Sequence, residues 1–250
     1  MKTKIIKVPK CIKMLFCGFP GRAARGHLGW SSVILIDIDE KILVDTGDWG
    51  CRHELVNRLE GLNLRPDDIS KVILTHIHQD HVANLSLFKK ANVVVSKKAI
   101  EYASKYDSDY FIAPYIGDYL KSINERLILV DGTAKIHKMV QIIETSGHTP
   151  DSISCIVNFR KSRAIIVGDA IKNAYEYISE MADETQDNEA SKQTIRKIKK
   201  MAEVVIIPGH DRPFYSHCGE IFYLCSCEDT LMMRTNPFSK EWTTVTVSVT

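Results

Sequence analysis

The sequence has no long uninterrupted apolar run. A transmembrane helix needs about 20 consecutive apolar residues, and no stretch approaches that length. Lysines at positions 2, 4, 7, 10 and 13 break up the apolar residues at the start, whereas a secretory signal peptide has a continuous apolar core. We therefore expect a chain that is neither inserted in a membrane nor secreted.

An excess of charge of one sign is also missing. Lysine and arginine number 33 against 31 aspartate and glutamate, which gives a formal net charge of +2. That balance excludes a global basic field for nucleic acid, although a local basic patch is compatible with it. With 44% hydrophobic and 26% charged residues, the composition is typical of a globular protein and not of a disordered, collagenous or coiled-coil chain.

The cysteines show no pattern of a disulfide framework. There are seven, an odd number at irregular spacing, so we expect reduced thiols and a cytoplasmic location. Cys218, Cys225 and Cys227 lie close together in the sequence, but no fourth ligand follows at zinc-finger spacing. Their pattern favours packing and leaves their role open.

Short apolar runs alternate with helical patterns, which predicts an α/β protein whose sheets are covered by helices. Helices are expected over residues 51–60, 97–105 and 187–201. The expected strands cover residues 32–37, 41–45, 68–75, 92–96, 126–130, 135–144, 153–159, 164–167 and 204–207. Residues 242–250 alternate strictly, so we predict an edge strand within a C-terminal extension over 230–250. An unpaired edge of this kind invites a second chain and predicts a homodimer.

A dense cluster of metal-binding side chains follows the predicted strand that ends near Thr75. Within the six residues 76–81 there are four of them: His76, His78, Asp80 and His81. On an extended backbone, residues two apart share a side, so His76 and His78 can hold one ion. Imidazole together with carboxylate suits a borderline ion such as zinc. Four such residues in so short a segment favour a metal site over isolated histidines with ordinary hydrogen bonds.

Three further residues of these types each follow a predicted strand. They are His148, Asp169 and His210. Side chains that come from the ends of several strands can converge at one sheet edge, where folds of this class build their sites. Each residue alone is a weak signal, but their order along the chain strengthens the prediction of one shared centre.

Together with Asp45 in Val44-Asp45-Thr46-Gly47, these motifs resemble those of the metallo-β-lactamase superfamily. The resemblance implies an αββα sandwich of two mixed β-sheets faced by helices, formed by a single domain over residues 1–250. It also implies two zinc ions per chain, the first held by His76, His78 and His148. The second would be held by Asp80, His81 and His210, with Asp169 bridging the two and Asp45 steadying the histidines. Histidine rather than glutamate at position 78 favours zinc over iron.

The resemblance implies a hydrolase in which a metal-bridging hydroxide attacks an ester, lactone or phosphodiester centre. Asp80, besides binding metal, is expected to move a proton. Residues 28–32, 84–88 and 205–210 look most like the metallo-β-lactamase domain-containing protein 1 group, which is associated with RNA cleavage. Residues 147–150 and 168–170 look like acyl-homoserine lactonases. Those lactonases place tyrosine three positions after the bridging aspartate, where this chain has Lys172. A non-catalytic metal-binding protein is the third alternative.

The substrate is expected to be a small ester or lactone, or RNA, with no membrane as partner. Aromatic residues are concentrated over 106–119, and Tyr110 and Phe111 there are predicted to form a lid or wall that stacks on the substrate. The same residues would otherwise anchor a long loop to the core. Trp30, in an early loop that the resemblance places over the metals, and Tyr175 are further candidates for substrate contact.

Overall fold

The computed structural model describes residues 6–19, 21–24, 26–105, 107–201, 203–235, 238 and 240–249. Tyr106, the first residue of the aromatic segment, lies outside these ranges, as does the side chain of Cys227. Within the described part of the chain, no helix has the length and apolar character needed to cross a bilayer.

The first half of the chain forms a six-stranded mixed sheet with strand order β1-β4-β5-β6-β7-β8. The strands of this half are β1 (Ile12–Phe16), β2 (Arg22–Ala23), β3 (Gly26–His27), β4 (Val33–Asp37), β5 (Lys41–Val44), β6 (Lys71–Ile73), β7 (Asn92–Ser96) and β8 (Leu127–Val130). Strands β5 to β8 run parallel to one another, whereas β4 is antiparallel to both β1 and β5. Strands β2 and β3 pair in a separate short hairpin.

The second half forms a seven-stranded sheet with order β15-β14-β13-β12-β11-β10-β9. Its strands are β9 (Ala134–His137), β10 (Val140–Glu144), β11 (Ile153–Phe159), β12 (Ser162–Gly168), β13 (Val205–Pro208), β14 (Phe214–His217) and β15 (Glu220–Tyr223). Strands β12 and β13 are parallel, and the other neighbouring pairs are antiparallel.

The predicted C-terminal strand is present and is paired within the chain. Strand β17 (Thr243–Val249) runs antiparallel to β16 (Cys227–Met233), and the two form a sheet of their own. Sequence analysis did not predict β16. The division of the chain into one domain with this extension stays a prediction, as does the homodimer.

Helices cover the outer faces of both large sheets. They are α1 (Arg52–Glu60), α2 (Gln79–Val82), α3 (Ala99–Tyr102), α4 (Ile116–Ser122), α5 (Ala174–Ser179) and α6 (Asn188–Lys199). Alternation along β4 shows how the layers form. Val33 and Leu35 pack in the cluster that contains helix α1, whereas Ile34 and Ile36 pack between the two sheets. A third cluster joins the second sheet to α5 and α6. The αββα sandwich expected from the resemblance is thus confirmed.

One strand prediction was wrong. Residues 135–144 are not one strand but the hairpin formed by β9 and β10. The turn contains neither glycine nor proline, the usual signals of a break. It is closed instead by a side chain, because the backbone N–H of Met139 donates to Nδ1 of His137 over 3.2 Å. Strands β14 and β15 were also missing from the sequence-based prediction.

The parallel strand pairs bring the candidate ligands to one edge. Asp45 and His76 follow the carboxyl ends of β5 and β6, which are parallel neighbours. Asp169 and His210 follow β12 and β13, the parallel pair of the other sheet. The two sheets are tied together here, because the N–H of Ile153 donates to the carbonyl of Thr75 over 2.8 Å.

Candidate metal centre

All seven predicted ligands lie together at this edge. They form three overlapping groups whose potential ligand atoms lie within 4.8 Å of one another: His76 with His78 and His148, His76 with His81 and Asp169, and Asp80 with His81 and His210. The first and third groups match the two sets that the family resemblance implied. Helix α2 begins directly after His78, and this change of backbone direction turns Asp80 and His81 toward the neighbouring position.

Asp169 lies between the histidines of the three groups. Its Oδ1 is 3.3 Å from Nε2 of His81, and its Oδ2 is 3.5 Å from Nε2 of His148 and 3.4 Å from Nε2 of His210. The space around it leaves no room for a side chain at position 209. A β-carbon on Gly209 would lie 2.0 Å from Oδ1 of Asp169, so the close approach requires glycine there.

Asp45 fixes the orientation of His81 and Thr75. Its carboxylate accepts hydrogen bonds from the N–H of Thr75 at 2.8 Å, from Oγ1 of Thr75 at 2.7 Å and from Nδ1 of His81 at 2.8 Å. A carboxylate is only an acceptor, so Nδ1 of His81 carries a proton, and Nε2 is the ring atom left to bind a metal ion. Asp45 itself has φ of 59°, a left-handed conformation that aspartate tolerates better than most residues.

The same network sets the tautomer of His76. The Thr75 hydroxyl has a single proton, which it donates to Asp45, so it must accept the hydrogen bond from Nδ1 of His76 at 3.1 Å. The Nε2 atom of His76 is left with its lone pair. Sequence analysis placed Asp45 near the histidines but did not find this link through Thr75.

His78 has a carboxylate partner that the sequence did not reveal. Its Nε2 lies 3.1 Å from Oδ2 of Asp109, a buried residue on the segment before helix α4. The acceptor-only carboxylate places the proton on Nε2, which leaves the lone pair on Nδ1, the atom that faces Nε2 of His148 at 3.0 Å. Asp109 lies in an aromatic-rich segment that also contains Asp107, and no motif in the sequence distinguishes it.

Electrostatics in the cluster favour bound positive charge. Burial opposes the charged form of His210, but the carboxylates of Asp169 and Asp80 outweigh it and raise the pKa to about 10. For His81, burial is likewise outweighed by Asp80, Asp169 and Asp45, and the pKa is well above its usual range. Burial dominates at His148 and lowers its pKa to about 3.

The donor atoms fit a metal ion. Nε2 of His76, Nε2 of His81 and Oδ1 of Asp169 are buried and have no hydrogen-bond partner among the described residues. Buried polar atoms are rarely left unpaired, so three that converge on one place suggest a ligand. Imidazole nitrogens and carboxylate oxygens are the donors that zinc accepts. No group of potential metal ligands in the described part of the chain contains a cysteine.

Five residues of the cluster line a cavity of about 800 Å³: His78, Asp80, His148, Asp169 and His210. Among the described residues, its walls also contain apolar side chains (Phe19, Leu28, Trp49, Phe111), the cations Arg22 and Lys172, and carboxylates that include Asp48, Asp183 and Glu184. The cations are paired. Nη2 of Arg22 lies 2.6 Å from Oε1 of Glu184, and Nζ of Lys172 lies 2.9 Å from Oε1 of the fully buried Glu176.

The four residues predicted to contact substrate occupy different places. Phe111 lines the cavity, with its ring centroid 5.6 Å from that of His78 and 5.4 Å from that of His27. Trp30 packs on Phe19 at 5.5 Å and lines a smaller neighbouring cavity of about 250 Å³. Tyr110 and Tyr175 are 87% and 63% exposed and are not among the residues that line the large cavity.

Comparison with known proteins agrees with this geometry. The sequence profile of the metallo-beta-lactamase superfamily matches residues 25–210, which contain all seven clustered residues. The chain belongs to this superfamily. It is 32% identical to metallo-beta-lactamase domain-containing protein 1 of Xenopus laevis over 193 residues, which cover 73% of this chain and 71% of that protein. It is also 25% identical to an N-acyl homoserine lactonase of Bacillus sp. over 161 residues, or 63% of this chain and 62% of the lactonase.

Solved structures of the superfamily share the fold. A dizinc quorum-quenching lactonase in complex with a product, N-hexanoyl-L-homoserine, aligns with a TM-score of 0.63 at 18% identity and covers 77% of this chain and 78% of its own. An N-acyl homoserine lactone hydrolase with its product bound at the catalytic metal center aligns with a TM-score of 0.60 at 18% identity, covering 83% and 94%. These solved structures therefore share the fold of the chain.

Proposed function

We propose that the protein is a di-zinc hydrolase whose substrate is a small ester or lactone. The observation that carries the proposal is that residues of the seven-residue cluster line a cavity whose walls also carry apolar side chains, among them Phe19, Leu28 and Phe111. Small-molecule sites are concave and about 300–1,000 Å³ in volume, with polar groups that converge on the reacting atoms. The lactonase relatives are hydrolases of small molecules, which supports the same class here.

In this proposal His76, His78 and His148 hold one zinc ion, and Asp80, His81 and His210 hold the other. Asp169 lies where it can contact both, because its two oxygens face histidines of both groups. Zinc ions bound there would polarise the carbonyl oxygen of a substrate and lower the pKa of water. Asp45 accepts a hydrogen bond from Nδ1 of His81, and Asp109 accepts one from Nε2 of His78. Each carboxylate thereby leaves the other ring nitrogen of its histidine to bind metal.

Asp80 is the candidate for proton transfer within the cluster. Its side chain lines the cavity and is partly open to it, unlike the fully buried His81. Burial raises the pKa of Asp80, but the neighbouring His81 and His210 outweigh that effect and lower it, so Oδ2 is unprotonated at neutral pH. A carboxylate at the cavity surface can accept a proton from water and return it to the leaving oxygen.

The cavity suits a neutral substrate better than a polyanion. Both lysine or arginine side chains that line it within the described part of the chain are paired with carboxylates, and further carboxylates contribute to its walls. RNA would bring one negative charge per nucleotide and would require unpaired lysine or arginine. RNA cleavage remains the second candidate, because the resemblance to the metallo-β-lactamase domain-containing protein 1 group is supported by 32% identity to a member of that name.

A substrate panel separates these candidates. Zinc-loaded protein would be assayed with aryl esters, with lactones of increasing acyl length, with an aryl phosphodiester and with single-stranded RNA. We expect hydrolysis of esters or lactones that a chelator abolishes and that added zinc restores. Turnover of RNA alone would favour the second candidate. Absence of turnover with every substrate, in protein that holds zinc, would favour a non-catalytic metal-binding role.

A further inference from the structure

We propose that Asp109 is the positioning residue for His78 at the metal centre. The inference rests on the proposed function in one respect, namely that His78 binds metal. Asp109 lies outside the motifs that carry the family resemblance, 31 residues after His78. It belongs to a segment that also carries Phe111, the aromatic residue that lines the cavity.

The contact between the two side chains is buried and directional. His78 and Asp109 are 5% and 6% exposed, so water competes little for their hydrogen bond. The 3.1 Å hydrogen bond from Nε2 to Oδ2 holds the imidazole ring in one orientation and one tautomer. Without the carboxylate, the proton could move to Nδ1, the atom that faces His148, and the ring would lose its fixed direction.

Asp109 is itself held by donors from three segments. Its Oδ2 accepts from the hydroxyl of Tyr102, at the end of α3, and from Nε2 of Gln186 at 3.0 Å. Its Oδ1 accepts from the N–H of Phe111 at 3.0 Å. A carboxylate with this many fixed donors cannot rotate away from His78. A residue that only stabilised its own loop would not need Oδ2 directed at a candidate metal ligand.

Asp109 is also linked, through Gln186, to His148, a second histidine of the same group. The backbone N–H of Gln186 donates to the carbonyl of His148 over 3.0 Å, and its side chain donates to Asp109. The backbone of the Asp109 segment also pairs with the ligand loop, because the N–H of Gln79 donates to the carbonyl of Phe111 over 2.8 Å. Asp109 thus does for His78 what Asp45 does for His81, and through Gln186 it is also linked to His148.

The experiment compares zinc affinity among matched variants of the full chain. Asp109→Asn keeps the size of the side chain and removes its charge, whereas Asp109→Ala removes both hydrogen-bonding oxygens. Tyr102→Phe loses one donor to Asp109 and keeps the carboxylate. Asp118→Asn changes a carboxylate that is 92% exposed on α4 and serves as the control. Zinc affinity would be measured by competition with a chromophoric chelator, and the melting temperature of each variant would be measured without zinc.

We expect both Asp109 variants to bind the first zinc ion about tenfold or more weakly, the range that loss of such partners typically produces. Tyr102→Phe should have a smaller effect, and Asp118→Asn should bind zinc like the unchanged protein. A cobalt-loaded sample should show altered visible absorption in the Asp109 variants, because the coordination geometry changes.

Unchanged zinc affinity in folded Asp109→Asn would overturn the inference, even if its melting temperature fell. Failure of both variants to fold would assign Asp109 to the fold alone and would overturn it as well. The readout is separate from catalysis. If the unchanged protein binds zinc but hydrolyses nothing, the proposed function fails, while the affinity comparison still decides the role of Asp109.

Discussion

Nδ1 of His81 and Oδ2 of Asp45 lie 2.8 Å apart in a buried contact between helix α2 and the end of strand β5. The bond sets the tautomer of His81, and through Thr75 the same carboxylate sets that of His76. One residue thus prepares two histidines that would contact different metals. The parallel pairing of β5 and β6 brings Asp45 close to these histidines.

Replacing Asp45 with asparagine should therefore weaken both metal positions. The amide cannot accept from Thr75 and His81 as a charged carboxylate does, and we expect activity to fall about 10- to 100-fold. Steady-state kinetics with saturating zinc would measure the loss. Asp37→Asn, on the neighbouring strand with a side chain 40% exposed, should leave activity unchanged. Equal activity of the Asp45 variant would contradict the role given to this network.

Asp169→Ala should abolish hydrolysis while the chain stays folded. The side chain faces histidines of both groups, and without its negative charge two cations held a few ångströms apart would repel each other. The three apolar clusters do not include it, so the circular dichroism spectrum should be unchanged. Full activity in this variant would show that the bridging assignment is wrong.

The two aromatic neighbours in the loop should behave differently. Phe111 lines the cavity, whereas Tyr110 is 87% exposed and lies outside its lining. Phe111→Ala should raise KM several-fold at unchanged zinc content, because the substrate would lose contact with the apolar surface of this ring. Tyr110→Ala is the matched control and should leave KM as it was. Unaltered KM in Phe111→Ala, with a lower melting temperature, would mean that the ring only packs.

Gly209→Ala should displace Asp169. The added β-carbon would come within 2.0 Å of Oδ1, and we expect a loss of about 1–3 kcal/mol in the free energy of unfolding together with reduced zinc content. Gly61→Ala is the control, because its β-carbon would meet its nearest neighbour at an ordinary 3.5 Å. Chemical denaturation and elemental analysis would measure both effects. Normal zinc binding by the Gly209 variant would show that the site tolerates this displacement.

The ligands were predictable because their signal is local. Four of the seven stand within six residues, and the others follow strands whose apolar runs are easy to recognise. Parallel pairing then brings those strand ends together, a consequence of fold class that the family resemblance supplied. The apolar run of β4, which is buried on both faces, was enough to predict a strand there.

Asp109 and the hairpin at residues 134–144 were not predictable for the opposite reason. Asp109 acts through contacts with His78 and Gln186, which are far from it in sequence, and it belongs to none of the motifs that pointed to the metal ligands. The hairpin turn is made by the side chain of His137 rather than by glycine or proline. Exposure could not be predicted either, which is why Tyr110 and Phe111 were treated alike although only one faces the cavity.

The measurement that tests the account most directly is a titration of zinc into metal-free protein, with the rate of ester or lactone hydrolysis recorded at each step. The seven-residue cluster has enough donors for two four- or five-coordinate ions. We predict that the rate rises until two equivalents of zinc per chain are bound and that elemental analysis finds about two. A rate that is maximal at one equivalent, or that does not depend on zinc at all, would contradict the account.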